Sequence, residues 1–108
     1  MTSKYKFLVS VSAKKDIDNT IDYIVNKLKN GQAATKLYNA INDKIDKICE
    51  DPMLSKDCRY YGIEDETIRR VKIKNYILFY KIETKQIIII RFLYSKMDIT
   101  TILNNHFN

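Results

Sequence analysis

The distribution of apolar positions divides the chain into two halves with different periods. From Tyr5 to Val11, Tyr5, Phe7, Val9 and Val11 alternate with Lys6, Leu8 and Ser10. A period of two predicts a β-strand. Ser12 then stands where a helix N-cap belongs. Ile17, Ile21, Ile24, Val25 and Leu28 follow at helical spacing and give one apolar stripe. The pair Asn30-Gly31 is expected to end this helix, with glycine taking the left-handed conformation past its C-terminus. A second helix is expected from about Gln32 to Glu50, with the stripe Ala34, Leu37, Ile41, Ile45 and Ile48. Pro52 stops it, because the residue before a proline is pushed out of the helical region. The short connection predicts an antiparallel helical hairpin.

After Glu50 the helical period disappears. Asp51 to Thr67 is the longest stretch without clear periodicity and reads as a polar loop. Three strands are then expected. In the first, Ile68 to Lys74, Val71 and Ile73 share one face while Arg70 and Lys72 share the other. A turn at Lys74-Asn75 leads to Tyr76–Ile82, and Glu83–Gln86 turns the chain into a last strand from Ile87 to about Tyr94. "IIIIRFL" in that strand is apolar on both faces, as in a strand covered from both sides. Asp98 to Asn105 is expected to form a short final helix capped by Asp98. The order β-α-α-β-β-β predicts an α+β fold: a mostly antiparallel sheet with the N-terminal helical hairpin packed on one face. No repeat, linker or low-complexity tract interrupts the 108 residues, so one domain over 1–108 is expected.

Composition narrows the function classes. Hydrophobic residues make up 45%, enough for a compact core without disulfide staples. Cys49 and Cys58 are not in a CxxC arrangement and His106 is the sole histidine, which argues against a disulfide framework and against a metal site. With only Gly31 and Gly62 there is no glycine-rich phosphate cradle, and no cofactor motif is present. The apolar run near the N-terminus is too short for a signal peptide or a membrane span, so a cytoplasmic protein with no membrane partner is expected. Nineteen Lys and Arg against thirteen Asp and Glu give a net charge of +6, which favours an acidic partner.

The cations fall into two groups: Arg70 and Lys72 on one strand face, and Arg91 and Lys96 with Tyr94 at the end of the last strand. If the strands are neighbours, these groups could form one cationic patch with aromatic rings nearby, suited to a phosphate backbone or to charge stabilisation in phosphoryl transfer. Arg91 interrupts an apolar run, so it equally fits a semi-buried arginine paired with a carboxylate from the helices.

Four stretches carry a family resemblance. "NYILFYKI" (Asn75–Ile82) and "IIIIRFLYSKMD" (Ile87–Asp98) resemble the paired C-terminal strands of the RelE/ParE toxin superfamily. "SAKKDIDNTIDYI" (Ser12–Ile24) and "AATKLYNAINDKIDKICEDP" (Ala33–Pro52) resemble its two helices. The resemblance covers nearly the whole chain. It implies the toxin of a type II toxin–antitoxin system, neutralised by a cognate antitoxin in a toxin–antitoxin hetero-oligomer. The superfamily has a branch that cleaves mRNA on the ribosome and a branch that inhibits DNA gyrase. Against the nuclease pattern, Arg70 and Lys72 keep two cations. Ile77 stands in place of an arginine, Lys96 in place of another, and Ile102 in place of a tyrosine. Arg91, Tyr94 and Asp98 match the ParE-like ending, with Lys96-Met97 replacing its usual paired arginines. The resemblance therefore favours the ParE-like, gyrase-directed branch, which is not known as a nuclease. The alternative is a ribosome-dependent mRNA endoribonuclease using Arg70, Lys72, Arg91, Tyr94 and Lys96 as catalytic residues. Arg70 and Lys72 are also the expected antitoxin-binding residues.

Overall fold

A computed structural model describes residues 5–107 of the chain. Its elements run β1 (Lys6–Val9), α1 (Val11–Asn26), α2 (Gly31–Glu50), β2 (Lys56–Asp57), β3 (Ile68–Ile73), β4 (Tyr76–Ile82), β5 (Gln86–Tyr94) and α3 (Ile99–Phe107). The fold is α+β, with the strands in one sheet of order β1-β5-β4-β3-β2. All pairings are antiparallel except β1 with β5, where Lys6 lies opposite Gln86 and Val9 opposite Ile89.

Both helix starts differ by a residue or two from expectation, for a common reason. Ser10, not Ser12, is the N-cap of α1: its hydroxyl accepts from the Ala13 N–H at 3.1 Å. The same residue still belongs to the sheet, since its N–H donates to the Ile89 carbonyl at 2.9 Å. Its hydroxyl donates to the Ile90 carbonyl at 3.0 Å. One serine thus closes the strand and opens the helix, and Val11, expected as a strand residue, is already helical. Asn30-Gly31 opens α2 instead of ending α1. The Asn30 side chain accepts from the Ala33 N–H at 3.0 Å, and Gly31 is the first helical residue. The left-handed position in the connection is taken by Lys29, at φ 53°.

The sheet is covered on both faces by separate cores. The hairpin covers one face, burying Leu37, Ile41, Ile45 and Ile48 of α2 against Leu78, Tyr80, Ile87, Ile89 and Phe92. On the other face α3 and the segment between α2 and β3 bury Ile99, Leu103, Cys58 and Ile63 against Phe79, Ile90 and Leu93. β4 and β5 are interior strands, and the apolar run of β5 serves both cores. A β-bulge allows this: Phe79 pairs with Arg91 but Tyr80 with Ile89, leaving Ile90 as the extra residue. The alternation shifts there, so Ile89 and Phe92 face the hairpin while Ile90 and Leu93 face α3.

β1 covers only the first half of β5. Beyond Ile89 the outer edge of β5 runs beside the first turns of α1, and Asp16 supplies the missing partner. Its carboxylate accepts from the Phe92 N–H at 3.0 Å. It also accepts from Arg91 Nε and Nη2 at 2.7 and 2.9 Å. The pair is mostly buried, the side chains being 22% and 15% exposed. The second of the two sequence readings of Arg91, a structural arginine held by a helix carboxylate, describes this geometry.

Truncating Asp16 leaves a guanidinium and a sheet N–H without partners. Asp16→Ala should destabilise the fold by about 2–3 kcal/mol, the usual range for losing charged hydrogen bonds in a partly buried site. Urea denaturation of the wild type and of Asp16→Ala and Asp16→Asn measures this. The asparagine variant, which keeps one acceptor, is expected between the other two.

Candidate functional site: a cationic groove beside β3

The segment expected to be a loop holds most of what builds the site. Residues 51–67 contain the short strand β2 and two single 3₁₀ turns, Pro52–Leu54 and Arg59–Tyr61. Buried main-chain groups need partners, and here side chains of the sheet supply them. The Tyr80 hydroxyl, which also meets the Ser55 hydroxyl, donates to the Pro52 carbonyl at 2.7 Å. Arg69 donates to the carbonyls of Ser55 and Glu66, each at 3.1 Å. Asn104 of α3 donates to the Tyr61 carbonyl at 3.0 Å. Arg59 lies among the carboxylates of Asp57, Glu64 and Glu66 on the outside of the segment.

This scaffold fixes Arg70. Its Nε–H donates to the Asp57 carbonyl at 3.0 Å. Its guanidinium carbon sits 5.1 Å from the centroid of the Tyr61 ring and 5.6 Å from that of Tyr60. Tyr61 in turn packs edge-on against Phe79 at 5.9 Å. A guanidinium held over aromatic rings, with one N–H already used, has few orientations left, and its remaining donors are pre-aimed. Lys72, exposed and two residues further along the same face, completes the pair. Together with Lys56, Tyr61, Ile77 and Ser95 they line a groove of about 470 Å³.

The five residues expected to act together are not brought together. Arg70 and Lys72 share the groove on the α3 face. Arg91 is on the outer edge of β5, bound to Asp16. Tyr94 lies on the hairpin face, its ring 5.7 Å from that of Tyr76, which stacks on Phe92 at 5.0 Å. Burial, with smaller contributions from Tyr94 and Tyr23, pushes the Tyr76 phenol above its ordinary value. Lys96 is exposed in the turn after β5. Asp98 caps α3, accepting from the Thr101 N–H at 3.3 Å. The expectation of a single patch assumed that residues at the ends of neighbouring strands meet. The register sets Arg91 across Phe79 from Arg70 but two strands away, where Asp16 holds it, and the pleat turns Tyr94 to the opposite face. Conversely Lys56, Tyr60 and Tyr61 were not expected at the site. The adjacent tyrosines of "RYYG" at Arg59–Gly62 were the available signal.

The family model "ParE toxin of type II toxin-antitoxin system, parDE" matches residues 7–99. The chain belongs to the ParE toxin family. It is accordingly a type II toxin, and the matched stretch runs from β1 to the start of α3. A chain of the solved structure "Chromosomal ParDE TA system from P. aeruginosa" superposes with a TM-score of 0.68 at 15% identity. The match covers 88% of this chain and 100% of that one, and at that identity it bears on the fold alone. No curated protein matches the chain. Among the described residues no helix is long and apolar enough to cross a membrane.

Cys58 lies in the core beneath Arg70, with no exposed surface. Burial pushes its thiol from 9.0 up to about 12, against the opposing pull of the Arg70 guanidinium. Above pH 9 the unfolded thiol ionises while the folded one keeps its proton. The unfolded state then binds fewer protons, and stability falls as pH rises towards 12, having been fully present below 9. The slope from this group is at most about 1.4 kcal/mol per pH unit. Urea denaturation near neutral pH and at about pH 10 should show a smaller loss for Cys58→Ala than for the wild type.

Proposed function

We propose that the toxin arrests growth by binding DNA gyrase, acts in the cytoplasm as one domain over 1–108, and is neutralised by a cognate antitoxin in a hetero-oligomer. The observation that carries this reading is the match to the ParE toxin family over residues 7–99. The dispersal of the five candidate nuclease residues supports it further. Arg91 has two of its donors engaged by Asp16, and Tyr94 lies on the opposite face of the sheet from Arg70. The protein's expected mode of action is therefore occupancy of a target surface rather than chemistry. Purified toxin should inhibit supercoiling by gyrase of the host cell, and unaffected supercoiling at saturating toxin would sink the reading.

A second reading, a ribosome-dependent endoribonuclease, rests on the groove where Arg70, Lys72 and Lys56 converge with Tyr61. Three cations around one aromatic ring suit an RNA backbone with an unstacked base. Primer extension on mRNA after induction separates the two, since this reading requires cleavage in phase with codons.

The net charge of +6 favours an acidic antitoxin, and the basic face carrying Arg70 and Lys72 is the complementary surface for it. Charge reversal at these two residues should weaken antitoxin binding by about 1–3 kcal/mol for each buried charged hydrogen bond lost, and make it less salt-sensitive. Reversal at Asp18 and Asp22 of α1 should change it little. Titration calorimetry checks the ranking; the opposite order would put the antitoxin on the helices.

A further inference from the structure

β1 is an edge strand without the usual protections. It has no proline and no bulge, and Lys6 is its one charged residue. Its apolar side chains are exposed on both faces of the sheet. Phe7 and Val9 lie opposite Ile87 and Ile89 and so face the hairpin, yet both are exposed. Leu8, opposite the half-buried Ile88, faces the α3 side and is 55% exposed. Val11, just past the strand, is 74% exposed. Between Phe7, Val9 and the hairpin lies a groove of about 340 Å³ floored by Ile17, Ile41 and Ile45.

The main-chain groups of this edge are open in a definite pattern. The Lys6 and Ser10 N–H groups donate to the Lys85 and Ile89 carbonyls at 3.2 and 2.9 Å. Alternate residues of a strand turn their N–H and C=O to the same side. Leu8 therefore bonds towards β5 as well, while Phe7 and Val9 turn outwards. Among the described residues no strand lies beyond β1.

An occupant of this edge must be apolar on both faces and need no charge partner. Lys14 and Asp18, the charged lining of the groove, already pair with each other at 2.8 Å. β1 itself meets the requirement, and its fit to a second copy is self-complementary. If two β1 strands run antiparallel about a two-fold axis at Leu8, Phe7 of each chain lies opposite Val9 of the other. Both residues turn their groups outwards, so each of the two pairs exchanges two hydrogen bonds. Leu8 meets Leu8 of the second copy as a non-hydrogen-bonded pair, the kind with Cα atoms only about 4.5 Å apart. Lys6 meets Ser10, so no like charges are opposed. Other registers fit less well. Centring the axis on Phe7 sets Val9 against Tyr5, whose N–H is taken by the Cys49 carbonyl. Centring it on Val9 sets Phe7 against Val11, which is already helical. The β3 edge, lined by Lys56, Arg70 and Lys72, would instead repel a second chain of net charge +6.

We propose that β1 is a self-association edge through which two toxin molecules pair antiparallel, joining two five-stranded sheets into one. Four strand residues a side fall short of the roughly 800 Å² per partner of a standard interface. The dimer is accordingly weak and forms in the micromolar range. A two-fold axis perpendicular to the sheet keeps like faces together, so the dimer presents two Arg70–Lys72 grooves on one side and can engage a target bivalently.

Sedimentation of the purified full-length toxin over a concentration series tests this. The mass should rise from 12.8 kDa towards twice that value. Leu8→Lys and Leu8→Glu each set like charges face to face at the axis, and each should weaken the dimer at least about tenfold. Mixing the two variants should restore it, because only a pairing in which residue 8 meets residue 8 turns that repulsion into attraction. Met97→Lys, on another exposed surface, should leave the dimer unchanged. A wild type that stays at 12.8 kDa leaves this edge to a strand of another protein and overturns the proposal. A dimer indifferent to Leu8→Lys, or folded variants that stay monomeric when mixed, overturns it too. If the variants do not fold, amide exchange on the native chain decides. The Phe7 and Val9 N–H groups should exchange at least about tenfold more slowly at high than at low concentration, and no difference overturns the pairing.

Discussion

The carboxylate of Asp16 closes a gap that the topology leaves open. β5 is the longest strand, and its parallel partner β1 is less than half its length. The uncovered part of a sheet edge must find partners or be left to water and to other chains. Here the first turns of α1 fill the gap, with Ser10 taking the Ile90 carbonyl and Asp16 taking the Phe92 N–H. Charge makes the second contact firm, because the same carboxylate holds Arg91 by two donors and so belongs to a partly buried ion pair as well as to the ladder. The position of the whole hairpin over the sheet depends on this junction. An arginine that would be a natural nucleic-acid ligand is thereby committed to holding the fold together.

The face away from the hairpin is organised differently. No long helix covers it. A short helix, a two-residue strand and the turn Arg59–Tyr61 lie there, tied down by Arg70 and Asn104 side chains bonded to main-chain carbonyls. This frame holds Arg70 against two adjacent tyrosines, with Lys72 exposed beside it. The arrangement suits a toxin that acts by presenting a surface, since the exposed cations are fixed before any partner arrives and little side-chain freedom is lost on binding.

Most of the architecture was legible in the sequence because period and composition report burial directly. The stripes of α1 and α2, the alternation of β3, the two-sided apolar run of β5 and the cap at Asp98 all appear in place. What was missed shares a cause. Ser10 and Asn30 are caps whose roles depend on where the chain comes from, and Ser12 and Gly31 satisfy the same local rules as well as they do. The single cationic patch failed because Asp16 holds Arg91 two strands away from Arg70, and because Arg91 and Tyr94, three residues apart, fall on opposite faces of the strand. β2 was invisible because two residues have no period. The tyrosine clamp on Arg70 spans two segments that only the folded sheet brings together. The family resemblance, by contrast, drew on order and spacing over the whole chain, and so it survived these local errors.

The parallel pairing of β1 with β5 has a consequence for synthesis. Lys6 lies opposite Gln86, and Asp16 waits for Arg91 and Phe92. A chain emerging from the ribosome N-terminus first can form its helical hairpin early, because those contacts are local. Its first strand and the anchor of its first helix have no partner until the last strand has left the exit tunnel. The toxin therefore cannot acquire its native surface piecemeal. Chains that stop short of β5 lack these partners, and the toxin fold becomes available only once the last strand of the sheet has been made.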